Sequence, residues 1–115
     1  MVIQLSWKKV EKVAVGEATL INAASSTSDG EWIDVEGIGH WSIDVSGIAG
    51  GSIVKAHGSD KLTAPADGDA ERQLGSDITA DGIRQYDAPL KWFKVSLPTY
   101  GSGNVTVTFK LRNMS

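Results

Sequence analysis

The sequence predicts an all-β domain, an antiparallel β-sandwich that is jelly-roll-like, with an immunoglobulin-like sandwich as the alternative. Three observations predict it. Ile33-Asp34-Val35-Glu36-Gly37-Ile38 is repeated ten residues later as Ile43-Asp44-Val45-Ser46-Gly47-Ile48, each copy entered near a tryptophan, Trp32 and Trp41. Near the other end, Val105, Val107, Phe109 and Leu111 alternate with Thr106, Thr108, Lys110 and Arg112. Both patterns have the two-residue period of a strand with one dry face. Thirteen glycines against three prolines supply the turns between such strands, and no segment shows helical periodicity. Without cysteines the inter-sheet disulfide of immunoglobulin domains is impossible, which favours the jelly roll.

Taken in order, Val10 to Val15 reads as the first strand, broken by Gly16, and Ala18 to Ile21 as a second short strand or extended arm. Ala23 to Gly30 is a polar loop of small residues turning at Asp29-Gly30. The doubled phrase then gives two strands, and the short connection through Gly37-Ile38-Gly39-His40 predicts that they pair as antiparallel neighbours. Ser52 to His57 follows, anchored by Ile53 and Val54 and closed by Gly58-Ser59-Asp60. Leu62 to Gly82 is a long excursion with a short strand or helical turn near Glu71 to Leu74. Loops of that length are often contact-forming, so this one is a candidate partner surface.

Leu90 to Leu97 carries Phe93, Val95 and Leu97 on one parity and Leu90 and Trp92 on the other, which calls for a bulge or burial on both faces. The last strand is the cleanest. A one-residue slip would expose four apolar side chains at roughly 1.5–3 kcal/mol each, so its register is fixed.

A chain of 115 residues is one domain, able to bury roughly 65% of its unfolded surface without staples. Within it, residues 1–28 read as an N-terminal arm with the first strands and 29–115 as the sandwich body. The absence of cysteine removes thiolate chemistry and leans toward assembly in a cytoplasm. The start of the chain lacks a signal-peptide pattern, and no apolar run reaches the ~20 residues of a membrane helix, so no membrane partner is expected. Eleven basic against fourteen acidic residues give a net charge of −3, with no basic run beyond Lys8-Lys9. Nucleic acid is therefore not an expected partner either.

Each possible reaction centre has a plainer explanation. His40 and His57 would need Asp34, Asp44 or Asp60 to complete a zinc site, and read instead as solvated residues beside loops. Asp67-Gly68-Asp69-Ala70-Glu71 offers three carboxylates but lacks the remainder of a calcium loop. Asp34 and Asp44, side by side on paired strands, would have glycosidase-like spacing, yet outward aspartates on a sheet face are ordinary. Ser102 lies between glycines without a nucleophile-elbow pattern, and there is no phosphate-cradling loop. We therefore expect no catalytic residues, no metal and no cofactor.

Four tryptophans are an excess for this length. Trp32, Trp41 and Trp92 fall in strand patterns and are expected to fill the core between the sheets. Trp7, in the N-terminal segment, and Tyr86 and Tyr100, in expected loops, are the candidate protein-protein contacts.

Gly30-Glu31-Trp32-Ile33-Asp34-Val35, Ser42-Ile43-Asp44-Val45-Ser46-Gly47, Val54-Lys55-Ala56-His57-Gly58-Ser59-Asp60, Lys91-Trp92-Phe93-Lys94-Val95 and Val105-Thr106-Val107-Thr108 together resemble small β-sandwich virion proteins of tailed bacteriophages, over residues 30–112. The resemblance implies a non-enzymatic decoration or cement protein, made in the host cytoplasm and bound to the capsid exterior. It implies the major capsid protein as partner and a homotrimer as the assembly. A cement function needs only a rigid body, a self-association surface and an arm or edge for the lattice. Residues 1–28 fall outside the resemblance and would serve as that arm. The alternatives are a carbohydrate-binding or host-adhesion module, with Trp7, Tyr86 or Tyr100 stacking on glycans, or a tail-associated virion component.

Overall fold

The computed structural model describes residues 2–3, 6–10, 13–36, 40–66, 68–69, 71–87 and 90–114, and side chains within 17–110. Ten strands and no helix are found among the described residues: β1 (Val2–Ile3), β2 (Ser6–Val10), β3 (Val13–Ala24), β4 (Trp32–Asp34), β5 (His40–Ser46), β6 (Ile53–Ser59), β7 (Arg72–Gln73), β8 (Gly82–Asp87), β9 (Trp92–Thr99) and β10 (Val105–Met114). They form two five-stranded sheets, ordered β1-β4-β9-β6-β7 and β2-β3-β10-β5-β8. Every pairing is antiparallel except β1 with β4.

Between β3 and β10, every connection except β6 to β7 crosses from one sheet to the other. This leaves β4-β9-β6-β7 facing β3-β10-β5-β8, the all-β antiparallel sandwich that the alternating strands predict. The core between the sheets is closed by alternation. Ile33, Ile43, Val45, Val54, Ala56, Phe93, Val95, Leu97, Val105, Val107 and Phe109 are all fully buried, while Asp34, Asp44 and Ser46 between them stay exposed. An aromatic cluster holds one end of it. Phe93 meets Trp41 edge-on at 5.2 Å, Tyr86 at 5.1 Å and Phe109 at 6.0 Å between ring centroids.

The structure corrects four readings. The two copies of the doubled phrase are not paired: β4 hydrogen-bonds to β9 and β5 to β10 and β8, so the copies lie in opposite sheets and present their isoleucines and valines to one core from two sides. Alternation specifies which face is dry and leaves the partner strand open. Gly16 does not end the first strand either, because β3 runs through it, paired there with Trp7 on one side and Leu111 on the other. Two register shifts between β3 and β10 then turn the consecutive residues Leu20 and Ile21 both inward, hiding the period in this stretch.

Trp41 fills the core between the sheets, but Trp32 and Trp92 lie on the opposite face of their strands from Ile33 and Phe93, outside that core. Tyr86, finally, belongs to β8 and not to a loop. Gly82, Arg84 and Tyr86 are partly covered while Ile83, Gln85 and Asp87 are exposed, the alternation of an edge strand. Glu71 to Leu74 does contain a short strand, β7, and β9 is buried on both faces from Trp92 to Leu97.

Beyond Lys110, β10 continues to Met114 with β3 as its partner among the described residues and β2 on the far side of β3. The N-terminal residues thus extend one sheet as a three-stranded ribbon past the ends of β5 and β8. The molecule is correspondingly long, 42 × 28 × 22 Å.

Candidate functional site

The outer face of the β1-β4-β9-β6-β7 sheet is not a solvated surface. On β9, Trp92, Lys94 and Ser96 share this face, and the register sets Ser59 opposite Trp92, His57 opposite Lys94 and Lys55 opposite Ser96. Lys61, Ala66 and Asp69 lie over them. The indole N–H of Trp32 donates to the Ala66 carbonyl at 2.9 Å, that of Trp92 to Lys61 at 3.0 Å, and the Lys94 ammonium to Asp69 at 2.7 Å. Each bond gives a buried donor its acceptor and fixes the loop to the sheet. Lys94 is only 2% exposed and its ammonium lies 5.1 Å from the Trp32 ring centroid.

Between this loop, β7 and the Ser28-Asp29 turn lies a cavity of about 250 Å³. Its floor is Lys55, His57, Lys94 and Ser96, and Asp29, Glu71 and Gln73 stand on its walls. The His57 ring is buried, with Nε2 2.9 Å from the Ser96 hydroxyl and Nδ1 without a partner among the described residues. Burial first, then the Lys94 and Lys55 charges, hold its pKa below the ordinary imidazole value. The carboxylates are already engaged or open to water. Glu71 pairs with Lys61, Asp77 lies 3.8 Å from Lys55, and Asp29 is exposed.

A depressed histidine pKa has a definite consequence for stability. Above the unfolded-state value of about 6.5 both states hold a neutral ring and the contribution is intact. As pH falls below it the unfolded chain takes up the proton first, and the contribution is lost by the time pH has fallen through the lower folded-state pKa. Urea midpoints measured from about pH 7.5 down to about pH 5 should therefore fall less steeply for His57→Gln than for the native chain. Parallel slopes would show that His57 is not held neutral by the fold.

A second hollow, about 320 Å³, runs along β5 and β8 beside His40, Ser42, Tyr86, Asp87 and Lys110. It is shallower in chemistry: His40 Nδ1 sits 3.4 Å from Asp87, but the two side chains are 74% and 80% exposed and compete with water. We place the candidate site at the hollow over β6 and β9, whose floor residues His57 and Lys94 are buried, for that reason.

The sequence-derived candidates are scattered. Asp34 and Asp44 occupy different sheets, so they cannot form a carboxylate pair, and Asp34 instead faces Lys91 at 3.4 Å. Of the acidic turn, Asp67 and Ala70 lie outside the described residues, while Asp69 accepts from the Ala66 N–H through its carboxylate. Ser102 is exposed and bridges to Ala49. Trp7 is placed in β2 across from Gly16, and its side chain lies outside the described residues. Tyr86 stacks on Trp41 at 6.2 Å, and Tyr100 is half-buried with its hydroxyl donating to Gly103. His57, read from sequence as a solvated residue beside a loop, is instead mid-strand and buried, and with Lys94 it forms the site that sequence reasoning missed. The only signal for it was polar residues standing opposite apolar ones in a strand loaded on both parities.

No family model matches the chain and no curated protein matches it. Among solved structures it is similar to the SPBc2 prophage-derived protein YomS, at 22% sequence identity and a TM-score of 0.70, over 92% of this chain and 99% of that one. At that identity the likeness shows a shared fold, extending over nearly the whole of both chains.

Proposed function

We propose that this protein is a non-enzymatic structural component of a bacteriophage virion, and specifically a decoration or cement protein bound to the capsid exterior. The observation that carries the reading is the near full-length fold match to a prophage-derived protein. The ribbon of β2, β3 and β10 supports it as an arm that adds contact area without enlarging the core. A homotrimer contacting the major capsid protein is the proposed assembly. The adhesion alternative is weaker because Tyr86 commits its ring to Trp41 and Phe93.

Two measurements test the reading. Sedimentation of the isolated protein at micromolar concentration should give a trimer that Trp7→Ala weakens by about tenfold or more, the range of an aromatic interface anchor. Phage heads assembled without the protein should lose heat and low-salt resistance and regain it on adding the protein back. Unchanged heads, or a monomer indifferent to Trp7→Ala, would count against a cement role.

A further inference from the structure

We propose that the three-stranded ribbon at one end of the molecule is a basic docking arm for the acidic body of a second copy of this chain. Charge is segregated along the fold. Residues 1–17 and 110–115, which contain the ribbon, hold five basic and two acidic residues, a net charge of +3. Residues 18–109, the body, hold six basic and twelve acidic residues, a net charge of −6. The overall −3 conceals two parts of opposite sign.

Topology gathers the basic residues. With β2 and β10 on either side of β3, Lys8, Val15 and Arg112 form one cross-strand row, and Lys9, Ala14 and Asn113 form the next. Both rows lie beyond Lys110, the last residue of β10 paired with β5 among the described residues. From Leu111 to Met114 the strand runs on for about 13 Å, further than the Debye length of about 8 Å at physiological ionic strength. The ribbon cannot neutralise itself on its own body. Its strands β3 and β10 are continuous with those of the body sheet and β2 is paired along β3, so the ladder that joins the two parts also holds them apart.

Within the body, basic residues already face acidic ones. Among the described residues Lys55 lies beside Asp77, Lys61 pairs with Glu71, and Lys91 pairs with Asp34 and Glu36. Asp29, Asp44, Asp60 and Asp81 are exposed and have no Lys, Arg or His at ion-pair distance among the described residues. A second copy therefore offers the complementary surface, one body for each ribbon. A nucleic acid would meet the same ribbon joined to a body that repels it. Ribbon-to-body contact joins unlike surfaces, and heterologous contacts of this kind generate rings when their rotation closes, as a trimer requires. The inference rests on the self-association proposed above and names the contact that makes it.

Zero-length carbodiimide coupling of the full chain, with half of the molecules carrying nitrogen-15, tests it. Mass spectrometry should find amides between copies that join Lys8 or Lys9 to carboxylates of residues 18–109. In sedimentation equilibrium the association constant should fall at least about tenfold between about 50 mM and about 500 mM sodium chloride. The triple variant Lys8→Gln, Lys9→Gln, Arg112→Gln should associate at least about tenfold more weakly at low salt, with a flatter salt dependence and an unchanged circular dichroism spectrum. Lys8→Arg with Lys9→Arg, which keeps the charges, should associate as the native chain does. Amides between copies confined to pairs of body residues, an association indifferent to salt and to the triple variant, or a monomer at every salt would overturn the docking arm. Capture of a ~20-base-pair DNA duplex by a chain that stays monomeric would also overturn it and assign the ribbon to nucleic acid. Failure of the virion reading shows separately, in phage heads whose resistance does not depend on the protein.

Discussion

Phe93→Ala is expected to remove about 3–5 kcal/mol from the stability of the domain, the range for deleting a buried ring without collapse of the cavity. Phe93 is fully buried in the centre of its sheet and touches Trp41, Phe109 and Tyr86, which come from β5, β10 and the edge strand β8, all of the opposite sheet. Its loss therefore removes three contacts that tie the two sheets together. Domains of this kind are stable by only about 5–15 kcal/mol in total, so a large share of the molecules would be unfolded or close to it. Urea denaturation followed by tryptophan fluorescence measures the effect. Phe93→Leu, which keeps most of the volume, should recover more than half of the loss. Equal destabilisation by the two would mean that ring packing is not what holds this end of the core.

Gly30→Ala should be nearly as damaging, for a reason that has nothing to do with burial. Gly30 precedes β4 with φ at +73°, and a Cβ there would stand 1.9 Å from the Val95 carbonyl oxygen. The left-handed backbone alone costs a residue with a Cβ roughly 1–2 kcal/mol. Relieving the collision requires the central strand β9 or the Ser28-Asp29 turn to move, and Ser28 is bound to Leu97 through both its N–H and its carbonyl, at 2.9 and 2.8 Å. A total loss of at least about 2–3 kcal/mol is expected. Gly51→Ala separates the two contributions. Gly51 has φ at +87° but open space where its Cβ would be, so it should lose only the backbone part. If Gly30→Ala and Gly51→Ala have equal thermal midpoints, the contact with Val95 is not the constraint.

Alternation made β5 and β10 legible, because each has one dry face and one wet one: Trp41, Ile43 and Val45 against Asp44 and Ser46, and Val105, Val107 and Phe109 against Thr106, Thr108 and Lys110. It gave β4 correctly as a strand and misassigned its neighbour, since an inward Ile33 is served equally well by a partner beside it and by an opposite sheet. At β3, the register shifts near Leu20 and Ile21 erased the period. At β8, an edge strand whose covered residues are Gly82, Arg84 and Tyr86 offered no apolar row to detect.

The site was the least legible part. A lysine and a histidine standing opposite Phe93 and Val95 in period look like the wet side of a strand. They are buried because Ala66, Asp69 and Lys61 present backbone carbonyls to Trp32, Lys94 and Trp92 respectively. Carbonyls exist at every residue, so a cover built from them leaves no compositional trace.

The middle position of each sheet is filled by a strand from late in the chain, β9 in one and β10 in the other. During synthesis the nascent polypeptide consequently exposes β4 and β6, and β3 and β5, as pairs of strands with an empty slot between them. The first slot waits for residues 92–99 to leave the ribosome and the second for residues 105–114. Native pairing across such sequence separations is slow, so the apolar faces wait in solution for the missing strands. A chain that stopped before Trp92 would keep most of its hydrophobic sequence and lose both seams at once. Its fate would be aggregation or proteolysis, not a smaller version of the same domain.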